Sequence, residues 1–115
     1  MLSKKRRLSK ELIKKTLRGG KSAHGQNVSL KYFAAPPKLS AFAFIVSAKK
    51  IKSAVFRNKL KRRGRAIIFK ILPRLKEGHS ILFFFKEKSY KMKFSELETE
   101  IKKLLQREGL FKANS

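Results

Sequence analysis

The chain has 115 residues, with 31 Lys and Arg against 7 acids, and a formal charge of +24. Its length predicts one domain with a modest core, and charge of this density destabilises a compact monomer unless a polyanion offsets it. The absence of cysteine excludes a disulfide framework and thiolate metal sites. The longest apolar run, Ala41 to Val46, is far short of the roughly 20 residues that cross a bilayer, and the basic opening Met-Leu-Ser-Lys-Lys-Arg-Arg is not followed by the apolar run of a secretory signal. The expectation is a cytoplasmic protein whose partner is nucleic acid, with no membrane involved. A hydrophobic content of 42% argues against wholesale disorder.

Residues 1–8 form a basic, flexible tail. Ser9 is positioned to cap a helix over residues 10–18, with Leu12, Ile13, Thr16 and Leu17 facing inward and Gly19-Gly20 ending it. Residues 21–28 have room for an extra short strand. Over 27–34, Val28, Leu30 and Tyr32 alternate with Asn27, Ser29 and Lys31, which predicts a strand; Pro36-Pro37 breaks it. A further strand over 40–48 sets Phe42, Phe44 and Val46 against the mostly smaller Ala43, Ile45 and Ser47, as though something packs closely on the smaller face.

Ser53 is a plausible N-cap for the next helix, which runs to about Leu72, with Pro73 as its limit. Phe56, Leu60, Gly64, Ile67 and Ile71 fall on one stripe. Arg57, Asn58, Lys61, Arg62 and Arg65 fall on the other side, and Arg63 lies at the stripe's edge, from where it snorkels. Gly64 costs about 1 kcal/mol relative to Ala inside a helix, so it marks either close packing or a soft spot. No acid occurs between residues 12 and 76, so a merely solvated mixed-sign surface does not explain this face; a row of fixed cations suited to a phosphate backbone does.

After Glu77-Gly78, the strand Ser80–Lys86 is apolar on both faces, as a central strand with a parallel neighbour is. Ser95 with Glu98 reads as a capping box for a helix carrying Leu97, Ile101, Leu104 and Leu105 and ending near Gly109. Residues 111–115 form a frayed tail. The order is helix, strand, strand, basic helix, strand, helix, an α+β sandwich with helices against a small sheet.

Nothing in the chain reads as catalytic. His24 and His79 lack an acid pattern or metal-ligand spacing, and Glu96, Glu98 and Glu100 are better explained by a helix N-terminus than by a metal. The phenylalanines of 42–44 and 83–85 are core residues by preference; Tyr32 and Phe33 are the better candidates for stacking on bases.

At the basic helix, Arg57-Asn58-Lys59-Leu60-Lys61-Arg62-Arg63-Gly64-Arg65 resembles the R-N-R-x-K-R-x-x-R of the bacterial ribonuclease P protein family. Val46-Ser47-Ala48-Lys49-Lys50, Ala54-Val55 and the segment 10–22 are similar to that family's approach to the helix and to its first helix and turn. The resemblance covers roughly residues 8–110 and implies one domain over 9–110, of order α-β-β-β-α-β-α, with a left-handed βαβ crossover. It implies a protein subunit that binds a large catalytic RNA and the 5′ leader of precursor tRNA. The endonucleolytic chemistry and the Mg2+ belong to the RNA, so no cofactor is held by the protein, and no DNA partner is expected. By this resemblance Lys49, Lys50, Arg57, Asn58, Lys59, Lys61, Arg62 and Arg65 contact the RNA, and Ile13, Leu17, Lys31, Tyr32 and Phe33 line the leader cleft. The chain departs from the family at Lys59 (usually arginine), Lys52 (glycine), Gly64 (apolar), Ile13 and Leu17 (phenylalanine) and Lys31 (tyrosine). A general basic RNA-binding protein of ribosomal or nucleoid type is the competing reading.

Overall fold

The computed structural model describes residues 4–34 and 39–112; the Pro36-Pro37 connection lies outside them. The elements are α1 (Lys10–Gly19), β1 (Lys21–His24), β2 (Val28–Ala34), β3 (Ala41–Val46), α2 (Ala54–Ile71), β4 (His79–Phe85) and α3 (Phe94–Arg107). The four strands form one sheet of order β1-β2-β4-β3. β4 is central as its two apolar faces require: it pairs antiparallel with β2 and parallel with β3. The β3–α2–β4 crossover therefore joins adjacent parallel strands.

The strand register divides the sheet into two faces. Val28, Leu30 and Tyr32 lie opposite Phe85, Phe83 and Ile81, which in turn lie opposite Val46, Phe44 and Phe42. This face meets Leu60, Ile67 and Ile71 of α2 and Leu97, Ile101 and Leu105 of α3 to make the core. The other face carries Ser29, Lys31, Phe33, Ala43, Ile45, Leu82 and Phe84, and α1 crosses it. The close packing expected on the smaller face of β3 occurs instead on the larger one. A Cβ at Gly64 would lie 2.6 and 2.7 Å from carbons of the Phe44 ring and 3.1 Å from Phe85. The Phe44 ring is itself stacked on Phe83 at 5.3 Å. Gly64 is thus a close approach of helix to sheet, not a soft spot.

Helix ends follow local chemistry. The Ser9 and Ser53 hydroxyls accept from the N–H groups of Leu12 and Phe56, at 3.2 and 3.3 Å. The α3 N-terminus differs from expectation. The helix begins two residues earlier, with Lys93 at the cap, and the Glu96 carboxylate accepts from the Lys93 N–H at 2.8 Å. Ser95 and Glu98 are therefore inside the helix. Glu98 turns to Lys70 and Lys102, 3.1 and 3.2 Å away. Burial alone would push its carboxyl up, but the two ammoniums hold it below the usual range. At the other end, Gly109 takes φ +70°, and the Leu110 and Gly109 N–H groups reach back to the Leu105 and Gln106 carbonyls, a Schellman closure.

Residues 4–8, expected as part of a free tail, lie against the sheet. Leu8 donates its N–H to the Phe42 carbonyl, and Arg6 grips Glu77 through two bonds of 2.9 Å. Phe111, at the start of the expected frayed end, bridges to Leu75. The Arg6 guanidinium, helped by the Ser40 N–H, holds the Glu77 carboxyl down at about 2.

Two outcomes follow from this packing. Gly64→Ala gains about 1 kcal/mol of helix propensity but overpacks a stacked ring, at a cost of about 1–3 kcal/mol. Thermal denaturation should show net destabilisation, relieved when Phe44→Leu is added. Glu77→Gln should lose about 1 kcal/mol at pH 7, because the pair is partly solvated, with Glu77 42% exposed. A depressed carboxylate contributes above its unfolded pKa, near 4.3, and loses the contribution as pH falls through its folded value. Denaturation midpoints of wild type and variant should therefore differ above about pH 4.3 and converge by about pH 2.

Candidate nucleic-acid interface

α2 lies over β3 and β4 with α3 beside it, so its two flanks have different neighbours. One flank carries Phe56, Arg63 and Lys70. Phe56 stacks on Tyr90 at 5.1 Å, Arg63 donates to the Met92 carbonyl at 3.0 Å, and Lys70 pairs with Glu98. Phe56, expected within the buried stripe, is 43% exposed because that stack lies at the helix margin. The opposite flank carries Arg57, Lys61 and Arg65 at four-residue intervals, and faces outward past β3, the edge strand. Between the flanks, Asn58, Lys59 and Arg62 are exposed. Among the described residues, no carboxylate lies within ion-pair distance of any cation from Lys49 to Arg65.

Arg57 has a second occupation. Its Nη1 donates to the carbonyls of Ile51 and Lys52, each at 2.8 Å. This ties the β3–α2 loop, which exposes Lys49 and Lys50, to the first turn of α2. The guanidinium's other donors remain for a phosphate. Sequence reasoning assigned Arg57 to RNA contact alone, because a bond to loop carbonyls leaves no signal in the residue pattern.

α1 forms one wall of the expected cleft. Its path is fixed at one end by the Leu8–Phe42 bond on β3 and at the other by β2, where Lys31 Nζ donates to the Leu17 carbonyl at 2.6 Å. α1 therefore crosses the sheet, and Thr16 is fully buried beneath it. Ile13 and Leu17 project from one flank, and Leu17 is 42% exposed instead of facing inward. Beyond that flank, Ala43, Ile45 and Phe84 share the α1 face and stay partly open. The sequence pattern does not single out Ala43 and Ile45, and it assigns Phe84 to the core with its neighbours, whereas Phe84 stays partly open.

Two of the expected cleft residues are elsewhere. Tyr32 is on the opposite face of the sheet, where its hydroxyl donates to Glu108 at 2.9 Å; burial and that carboxylate push the phenol up. Phe33 is on the right face but under the other flank of α1, 3.6 Å from where a Gly19 Cβ would sit. Lys31 lies on the α1 face with its ammonium already set on the Leu17 carbonyl in the last turn of α1, a favourable place for a cation. The imidazoles are apart from one another: His24 Nδ1 faces Ser29 Oγ at 3.4 Å, and His79 Nδ1 faces the Glu77 carbonyl at 3.1 Å.

β3 ends at Val46, so Ile45, the Lys49-Lys50 loop and the first turns of α2 meet at one end of the sheet, where Phe84 also lies. Partly open apolar side chains and exposed cations are continuous there. Fold and surface together define a small α+β protein with a face suited to a polyanion.

A family model described as "Ribonuclease P" matches residues 2–109. A "Ribonuclease P protein component" from Syntrophomonas wolfei is 31% identical over 117 residues, covering 100% of this chain and 97% of the relative. One from Synechococcus sp. is 32% identical over 96 residues, covering 80% and 72%. Among solved structures, the RNase P protein of Staphylococcus aureus superposes with a TM-score of 0.82 at 16% identity, covering 93% of this chain and 98% of that one. That of Thermotoga maritima gives 0.78 at 22%, covering 88% and 96%. The chain belongs to the ribonuclease P protein family. It is the protein subunit of an endoribonuclease holoenzyme that takes part in tRNA 5′ maturation, and it associates with the ribonuclease P RNA.

The two roles of cations on α2 are separable by stability. Arg57→Ala should lower unfolding free energy by about 1–2 kcal/mol, because two backbone carbonyls lose a charged donor. Arg62→Ala should stay within about 0.5 kcal/mol of wild type. Urea melts of the free protein distinguish them.

Proposed function

We propose that the outward face of α2, with Lys49 and Lys50, grips phosphates of the catalytic RNA, while the groove beside α1 holds the single-stranded 5′ leader of precursor tRNA. The observation that carries this reading is the meeting, where β3 ends, of the partly open Ile45 and Phe84 with cations that have no carboxylate partner among the described residues. Arg62 and Arg65 offer planar forks suited to phosphate; Lys59 and Lys61 act as point charges. Ile13, Leu17, Ile45 and Phe84 give bases an apolar bed, and Phe84 gives them a ring to stack on. Lys31, anchored to α1, sets a positive charge at its margin.

The protein's share of the reaction is then positional. Holding the leader favours precursor over mature tRNA and presents the scissile phosphodiester to the RNA's active centre, an orientation effect. Magnesium, bound by the RNA, supplies the activation of water and the stabilisation of charge; the cations of this chain lower the repulsion between two RNAs brought together. DNA reading fits less well, since α2 follows a strand and has no short partner helix before it. A role on precursor tRNA supports a cytoplasmic location.

If six phosphates are contacted, the affinity for the catalytic RNA should fall with salt at a log–log slope of about −4 to −5, and Arg62→Ala should reduce that slope by about one. With the catalytic RNA present, filter binding should favour precursor over mature tRNA. Equal affinity for any RNA supports a general basic RNA-binding protein instead.

A further inference from the structure

Asn58, Arg62, Arg65 and Phe69 recur at spacings of four, three and four residues, so they form one outward stripe of α2. The stripe ends in an aromatic ring. Phe69 is 52% exposed, and with Arg62, Arg65 and Ala66 it lines an apolar hollow about two turns long. A core helix has no packing reason to present a phenylalanine here, since Leu60, Ile67, Ile68 and Ile71 already fill the buried side. The hollow pairs an aromatic face with two guanidinium groups on the same surface. A nucleotide has both complements: a base with a π-face and a phosphate that a guanidinium holds by two bonds.

We infer that the Arg62–Phe69 hollow is a nucleotide-binding subsite, in which one unpaired base of the catalytic RNA stacks on Phe69 while its flanking phosphate lies on Arg62 and Arg65. The inference rests on the proposed RNA-binding role of α2 and adds a base contact to it. The occupant is the catalytic RNA and not the leader. α1 and its groove are on the other face of the sheet, and Phe69 is 12 residues, about 18 Å, along α2 from the Arg57 end where groove and helix meet. Phosphate contacts alone would give the helix affinity without registration; a stacked base fixes where along the RNA the helix sits.

The chain contains no tryptophan, so Phe69→Trp introduces a single tryptophan, excited apart from the two tyrosines, into the subsite without altering the core. Titration with a bacterial ribonuclease P RNA should quench and shift its emission in step with binding followed independently by filter retention. Adding precursor tRNA to the formed complex should leave the emission as it is. Phe69→Leu should weaken RNA binding about tenfold, within the range that base–aromatic stacking supplies, at an unchanged salt slope, and Phe69→Tyr should restore it. Emission unchanged while filter retention shows a complex, or wild-type affinity in Phe69→Leu, overturns the subsite and leaves the role of α2 intact. Emission that responds only to precursor tRNA reassigns the hollow to the substrate and overturns the inference as stated. Failure of the wild-type chain to bind the RNA at all would overturn both, a result distinct from the others.

Discussion

Charge segregation is the constraint on which the rest of the molecule depends. With 31 basic residues and 7 acids, there are too few carboxylates to neutralise the surface, so where they are placed decides which cations stay unpaired. Most have internal tasks. Glu77 holds Arg6 and the Ser40 N–H, Glu98 sits between Lys70 and Lys102, and Glu100 accepts from the Asn27 and Val28 N–H groups. Glu108 takes the Tyr32 hydroxyl, and Glu96 caps α3. Five of the seven lie between residues 87 and 108, on α3, its C-cap and the turn before it. The acids thus bind the α3 side of the molecule together and leave the outer face of α2 as a field of fixed positive charge.

That field is useful only if the helix beneath it is rigid. Gly64 lets α2 settle onto the stacked Phe44, and Leu60, Ile67, Ile68 and Ile71 bury the inner side. Arg57 then locks the loop that exposes Lys49 and Lys50. Side chains held on a packed helix lose less freedom on binding than the same cations on a loose segment would. The apolar packing and the electrostatic surface are therefore two aspects of one helix, and the groove of α1 gains its place from the strand that leads into it.

Much of this was legible from residue pattern. The elements, their order, the central position of β4 and the two-sided nature of α2 follow from periodicity and turn residues. The strand near 21–28 was foreseen and forms over Lys21–His24. The misses share a cause, which is that tertiary contacts chose among local options. Two Glu residues stand three positions after a possible cap; Glu96 took the cap, and Glu98 went to lysines brought near by folding. The resemblance groups Tyr32 with Lys31, but strand alternation puts neighbouring residues on opposite faces. Phe33 was on the correct face, but the direction in which α1 crosses the sheet, which removes it from the groove, is written in no local pattern. Nor does any local pattern reveal that Lys31 and Arg57 have backbone carbonyls to satisfy.

The central claim is that this chain helps cleavage by supplying a fixed positive surface and a leader groove, with the bond chemistry left to RNA. Reconstitution with a ribonuclease P RNA and a precursor tRNA at limiting magnesium tests it most directly. The account predicts that the intact protein restores leader release, that reversing the α2 surface with Lys61→Glu and Arg65→Glu abolishes the rescue, and that raising magnesium recovers activity without the protein. Undiminished rescue by the charge-reversed variant, properly folded by circular dichroism, would contradict it.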